Sequence, residues 1–227
     1  MQRQRHIRSF VLRAGRMTPA QERALVQLWP SYGVDLGDAP LDLEAIFGRR
    51  APRCLEIGFG VGEVIGSLAE SHPHIDHVGI EVHRPGVGRL LLRAAQTNLR
   101  NLRVISHDAV EVLKDHIPDD SFDEILVFFP DPWHKKRHHK RRLIDSTFME
   151  SVAAKLRRGG VLRLATDWQA YAEQMLAVCN ACPGLASLSA DGTFVPRPDF
   201  RPPTRFELRG ARLGHGVWDL AYTKLAT

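Results

Sequence analysis

From Arg53 onward, short apolar runs alternate with stretches of helical period. The runs Arg53–Ile57, His77–Val82, Leu102–Ser106, Glu124–Phe129, Val161–Ala165 and Val217–Tyr222 read as strands. Between them, Gly62–Ser71, Pro85–Leu99, Ala109–His116, Arg141–Leu156 and Trp168–Cys179 read as helices. Strands separated by helices predict βαβ units and an α/β chain with a mostly parallel sheet. Right-handed crossovers then bring the strand C-termini to one edge, where ligands bind. Upstream, residues 18–30 predict a short helix, with Thr18 as N-cap and Pro19 in its first turn. The Pro- and Gly-rich tail from Asp191 to Gly216 reads as loops and irregular strand.

Leu55-Glu56-Ile57-Gly58-Phe59-Gly60-Val61-Gly62 closes the first strand and opens a helix. Gly58, Gly60 and Gly62 allow a tight turn and close approach of backbone to a ligand. The sixth position of a dinucleotide fingerprint should be glycine, but here it is Glu63. With Glu56 beside it, the loop is acidic and suits a cationic ligand without phosphate better than a pyrophosphate. Glu81 ends the second strand, where an acid can accept ribose hydroxyls. Asp108 follows the third strand and reads equally as a helix N-cap and as a ligand contact.

The stretch Phe128–Arg142, FFPDPWHKKRHHKRR, sets Asp131 between two prolines and ahead of a cationic run. The chain's net charge is +5; residues 134–142 contribute +6 and the first twenty residues another +5, leaving −6 over the rest. Such concentration of charge is the distribution of a nucleic-acid footprint. An Arg-rich, acid-free N-terminus also suits a transit peptide, a reading weakened by its single serine, Ser9. No apolar run is long enough to span a bilayer. Three cysteines make no disulfide framework, which fits a cytoplasmic location. Cys179 and Cys182 form a lone C-x-x-C without a second pair, so a structural role is expected. His134, His138 and His139 lack acidic or thiolate partners and are crowded by cations, so no metal is expected there.

LEIGFGVGE, GIEVHRPGVGRLL, HDAVEVL, FFPDPWHKKRHHKRR, LRLATDW and RPPTRFELRGARLGHGVWDLAY together resemble the bacterial tRNA (guanine-N7-)-methyltransferase family, from about Arg8 to Tyr222. The glycine loop is generic; the Asp131 stretch and the TRFE segment are the specific parts. The resemblance implies a Rossmann-like class I methyltransferase fold, with a mostly parallel seven-stranded sheet flanked by helices, spanning 31–227 behind a basic arm and short helix at 1–30. It implies S-adenosylmethionine as donor and a guanosine at position 46 of the tRNA variable loop as acceptor. Glu56, Gly58, Gly60, Glu81, Asp108 and Asp131 would bind the donor, and Asp131 would be the catalytic residue. Lys135, Asp167, Thr204, Arg205, Phe206 and Glu207 would meet the acceptor. Arg137, His138, His139, Lys140, Arg141 and Arg142 would contact RNA. Arg205 stands where the family more often has lysine, which keeps the charge but changes its shape. The expected partner is tRNA, with no membrane, and the chain is a monomer or a homodimer.

Guanine N7 has an in-plane lone pair and no proton, so its methylation needs no general base. It needs alignment of the reacting atoms and a fixed carboxylate for the charge that develops on the ring. Asp131 suits that role, with Asp167 orienting the base. Trp133 reads equally as a stacking platform and as an anchor beneath the loop. Three readings compete. One is methylation of another RNA atom, since Pro-Asp-Pro-Trp faintly resembles the Asp-Pro-Pro-Trp loop of amine methylases. Another is a non-catalytic RNA-binding protein, which the intact set of acids disfavours. The third is a nicotinamide dehydrogenase, disfavoured by Glu63.

Overall fold

The computed structural model describes residues 8–10, 16–202, 207 and 216–226. Its strands are β1 (Arg53–Ile57), β2 (Asp76–Ile80), β3 (Leu102–Ile105), β4 (Phe122–Phe128), β5 (Leu156–Thr166), β6 (Leu185–Ser187) and β7 (Trp218–Lys224). They form one sheet in the order β3-β2-β1-β4-β5-β7-β6. Strands β1 to β5 pair in parallel, and β7 runs antiparallel to both β5 and β6. β1 and β2 are buried at every position, which is why they read as continuous apolar runs rather than as alternation. The order reverses at β1, whose neighbours are β2 and β4; such a switch point opens a crevice beyond the strand ends.

Helices α1 (Pro19–Gln27), α2 (Trp29–Tyr32) and α3 (Leu43–Phe47) precede β1. Helices α4 (Glu63–Ser71), α5 (Arg84–Gln96), α6 (Ala109–Asp115), α7 (Ser146–Lys155) and α8 (Gln169–Asn180) follow. Thr18 caps α1 in a reciprocal pair: its side chain accepts from Gln21 N, and Gln21 Oε1 accepts from Thr18 N at 2.8 Å. The same Gln21 donates to Pro85 O at 3.1 Å. Ala24 of α1 is buried in one apolar cluster with Val87, Leu90 and Leu91 of α5.

The helix expected over 141–156 starts later, at Ser146. Asp145 caps it by accepting from Phe148 N at 2.8 Å, and the preceding cations wind instead as a 3-10 helix, Lys136–Arg141. β5 begins five residues ahead of its expected start, directly after α7, and its register against β4 slips between Phe122 and Glu124. The residues Thr204, Arg205 and Phe206 lie outside the described residues.

Candidate functional site

A cavity of about 600 Å³ opens where β1, β2, β3 and β4 end. Glu56, Gly58, Gly60, Glu81, Asp108 and Asp131 all line it, so four separate strand ends deliver the six residues expected to hold a donor. Gly58, Gly60 and Gly62 have φ of +73°, +58° and +77°, a left-handed conformation that strains any side-chain-bearing residue. Helix α5 closes on this loop through Gly86, where a Cβ would sit 1.9 Å from Gly60 O.

Glu81 is a keystone of that loop. Its Oε1 accepts from Val82 N at 2.7 Å and His83 N at 2.9 Å, and its Oε2 accepts from Gly60 N at 2.8 Å. A carboxylate has about four acceptor positions, so three backbone amides leave room for one further donor. Glu81 therefore shapes the loop as well as lining the cavity.

Glu56 is buried on β1, and its Oε2 accepts from Ile65 N in the first turn of α4 at 2.8 Å. Burial pushes its carboxyl up to about 8, against the amide of Ile65 and with help from the charge of Glu81. A raised pKa means that the unfolded chain gives up this proton first. Stability is then full below the ordinary value near 4.5 and declines as pH climbs toward 8. Replacing Glu56 with Gln, which resembles the protonated acid, is expected to raise the melting temperature of the ligand-free protein more at about pH 9 than at about pH 6. Thermal melts across that range check it; a gain independent of pH would remove Glu56 as the titrating group.

Asp108 caps α6 by accepting from Val110 N at 3.0 Å, and it also lines the cavity. Asp131 is exposed at the cavity wall. It follows a backbone turn in which Phe129 takes φ +53° while its N–H still donates to Ala165 O at 2.8 Å. Trp133, also left-handed at φ +46°, donates from Nε1 to Ser9 O at 3.0 Å. The Arg141 guanidinium lies 5.0 Å from its ring centre. In this structure Trp133 is an anchor, tying the N-terminal segment to the basic run. Ser9 and Phe10 thereby become part of the cavity wall, as do Phe59, His83 and His107, none of which the sequence singled out.

Lys135, Lys136, Arg137 and Lys140 are exposed. Desolvation and the neighbouring cations hold His138 below its ordinary pKa, so it adds little positive charge near neutrality. Arg142 corrects the expected RNA footprint. Only 5% exposed, it donates to Pro132 O at 2.9 Å and to Gln174 Oε1, and lies over the Tyr171 ring. Its charge is spent fastening the Asp131 loop to α8.

Asp167 directly follows β5, whose Ala165 pairs with Phe128 of β4, so it shares an edge with Asp131. It does not line the cavity. The two loops meet where His134 packs edge-on against Trp168, with ring centres 4.1 Å apart. Glu207 is buried, with Oε1 2.7 Å from Arg201 Nη1. Among the described residues no His/Cys/Asp/Glu cluster is arranged for a metal, and no helix is long and apolar enough to cross a membrane.

Solved structures with this fold include a mutant of the 16S rRNA (adenine(1408)-N(1))-methyltransferase of Catenulisporales acidiphilia with its cosubstrate SAM. It has a TM-score of 0.57 and 18% identity, covering 85% of this chain and 93% of that one. The cyclase SpnF, with a TM-score of 0.55 and 17% identity over 92% of this chain and 95% of its own, shares it too. The fold alone therefore does not specify the chemistry. A family model described as a putative methyltransferase matches residues 50–220. The tRNA (guanine-N(7)-)-methyltransferase of Ectopseudomonas mendocina (strain ymp) is 56% identical over 97% of this chain and 92% of its own length. That of Shewanella oneidensis is 54% identical over 98% and 93%. Identity of this extent over nearly the whole chain, with a family model matching residues 50–220, places the chain in the tRNA (guanine-N(7)-)-methyltransferase family.

Proposed function

We propose that this protein transfers a methyl group from S-adenosylmethionine to N7 of guanosine 46 in the variable loop of tRNA, in the cytoplasm. The observation that carries the donor is the cavity lining: among the described residues, five acidic side chains, Glu56, Glu63, Glu81, Asp108 and Asp131, and no Lys or Arg, with Glu56 protonated near neutrality until a cation is bound. Such a wall repels phosphates and suits a ligand with sulfonium and ammonium charges. Its volume is in the range of pockets for small cofactors. S-adenosylmethionine supplies an electrophilic methyl on a sulfonium.

The protein's part is alignment and charge. Glu81 and the three glycines shape the donor's bed, Asp108 reaches its edge, and Glu56 offers a buried carboxyl that a cationic ligand would re-ionise. Guanine N7 carries no proton, so Asp131 removes none; it faces the positive charge that grows on the purine. Asp167, with Lys135 and the segment Thr204–Glu207, receives the base. A loop base is already unstacked, and drawing it out costs less than flipping one from a duplex.

Methyl transfer from labelled S-adenosylmethionine to unmodified tRNA tests the whole reading. After mild reduction and aniline treatment, a single chain cut in the variable loop is the expected result. Label without that cut would move the target to another atom, and donor binding without label would leave an RNA-binding protein.

The exposed cations give a separate expectation. Replacing Lys136, Arg137 and Lys140 together with Ala is expected to reduce the slope of log affinity against log salt by roughly 2, with donor affinity unchanged. Titrations of tRNA at several salt concentrations measure it; an unchanged slope would mean these side chains do not touch phosphates.

A further inference from the structure

Asp131 and Asp167 leave the sheet from neighbouring strands, and the sheet alone does not set their spacing. The pairing of β4 with β5 ends at Phe128 and Ala165. One further backbone bond, Phe129 N to Ala165 O at 2.8 Å, follows it. Beyond that bond the chain departs from strand geometry, turning at Phe129 with φ +53° and again at Trp133 with φ +46°. Asp131 lies between the two turns, and Asp167 directly follows β5.

Three side chains at the start of α8 meet this loop. Trp168, next to Asp167, packs edge-on against His134, with ring centres 4.1 Å apart and planes 61° apart. Tyr171 Oη accepts from Ile144 N at 3.1 Å, and its ring centre lies 4.7 Å from the Arg142 guanidinium. Gln174 Nε2 donates to Ile144 O at 3.1 Å, and its Oε1 accepts from Arg142 Nη1. Arg142 in turn donates from Nε to Pro132 O at 2.9 Å. Positions 168, 171 and 174 share the spacing of one helix face, so a single face holds residues 132–144 at both ends.

These contacts differ in kind. Tyr171, Arg142 and Ile144 are buried, and their bonds brace the fold. His134 is exposed, so its contact shields little apolar surface and adds little stability. Trp168 is rooted. Its N–H donates to Thr166 Oγ1 at 3.3 Å, its carbonyl accepts from Tyr171 N and Ala172 N, both at 2.9 Å, and its side chain packs on the main core. A fixed ring therefore meets a loop residue that contributes little to the core. What the contact sets is geometry: it joins the residue after Asp167 to the third residue after Asp131, immediately ahead of Lys135.

We propose that Trp168 is a positioning residue for methyl transfer: through His134 it holds the Asp131 loop against the start of α8 and so fixes Asp131 relative to Asp167. This rests on the proposed function, in which one carboxylate faces the charge growing on the purine and the other orients the same ring. Two groups acting on one flat base tolerate little error in their separation, since a displacement of about 1 Å costs on the order of 100-fold in rate. Neither Trp168 nor His134 lines the cavity, so the effect is confined to the acceptor side.

The test uses the full-length protein with His134→Ala, Trp168→Leu, Trp168→Phe and the double variant His134→Ala/Trp168→Leu. Single-turnover rates at saturating donor and tRNA are read with tRNA affinity, calorimetric donor affinity and melting temperature. His134→Ala is expected to lower the single-turnover rate by about tenfold, with donor affinity within about twofold and melting temperature unchanged. Trp168→Leu is expected to lose at least as much, and the double variant to be no slower than Trp168→Leu, because both remove one contact. Trp168→Phe keeps an aromatic face for His134 and is expected to fall between wild type and Trp168→Leu. A second cycle separates positioning from bracing. Once Asp167→Asn has removed one of the two carboxylates, their spacing matters less, so His134→Ala is expected to cost under about twofold in that background. A normal rate in His134→Ala, losses that multiply in either cycle, or a fall confined to tRNA affinity would overturn the proposal. Should Trp168→Leu not fold, the cycle of His134→Ala with Asp167→Asn decides by the same criteria. Failure of the wild type to methylate guanine N7 would strike the proposed function, whereas an active wild type with any of those results strikes only Trp168.

Discussion

Asp131→Asn is expected to lower kcat for methyl transfer by about 100-fold or more, with no change in melting temperature. The side chain is exposed on a loop at the cavity wall, so its replacement leaves the core intact. Its backbone is held independently: Phe129 N stays bonded to Ala165 O, and Arg142 clamps Pro132 O to α8. Asparagine keeps the shape and loses the charge. Since guanine N7 needs no base, the whole effect reports stabilisation of a cation by a fixed carboxylate, a contribution that removal of preorganised groups puts at several kcal/mol. Single-turnover rates at saturating donor and tRNA isolate it from binding. Turnover within a few-fold of wild type would remove Asp131 from that role.

Glu81→Gln should cost donor affinity about 100-fold or more, and should also destabilise the free protein, because the same carboxylate serves Gly60, Val82 and His83. An amide has one accepting atom. In either orientation its NH₂ faces a backbone N–H and leaves at least one donor unsatisfied. Hydrogen bonds to a charged group contribute about 1.5–3 kcal/mol each, so loss of one or two disorders the glycine loop that forms the donor's bed. Calorimetric titration with the donor and thermal melts at fixed pH measure both effects. The contrast with Glu56 is sharp. Neutralising Glu56 is expected to stabilise the ligand-free protein as pH rises, whereas neutralising Glu81 destabilises it throughout. Two acids on one cavity wall differ because one faces a ring of N–H donors and the other faces a single amide in a dry site. If Glu81→Gln bound the donor normally, the loop would be held by its glycines alone.

The parallel half of the fold was legible because its signals are local. Five positions of β1 are all buried, and the Gly58–Gly62 pattern follows it without interruption. Each acid expected to bind the donor lies at or just past the end of a strand, so the strand pattern located the acids of the cavity wall. What sequence could not show was which cations are spent inside. Arg142 reads as one more member of a basic run, yet its partners are Pro132 O and Gln174, on a loop and a helix the linear pattern cannot bring together. Arg201 is the same case, since Asp219 lies eighteen positions away on another element. Short elements also escaped: α3 is a five-residue helix between Asp42 and Gly48, and β6 has three residues, too few for periodicity to register. The late start of α7 had a signal in Asp145, whose capping oxygen outweighs the helix-like spacing before it.

Strand β7 runs against its neighbour β5. The start of β7, Trp218, therefore lies beside the end of β5, Thr166, on the side where the cavity opens. During synthesis this imposes an order. When residues up to Thr166 have left the ribosome, β1 to β5 and every donor-side acid are available, but β5 is an open edge of the sheet. Arg201 then emerges before the Asp219 with which it pairs, and β7 joins the sheet only once residues 218–224 are free to pair. A nascent chain can thus complete the cavity wall before its last strands are in place.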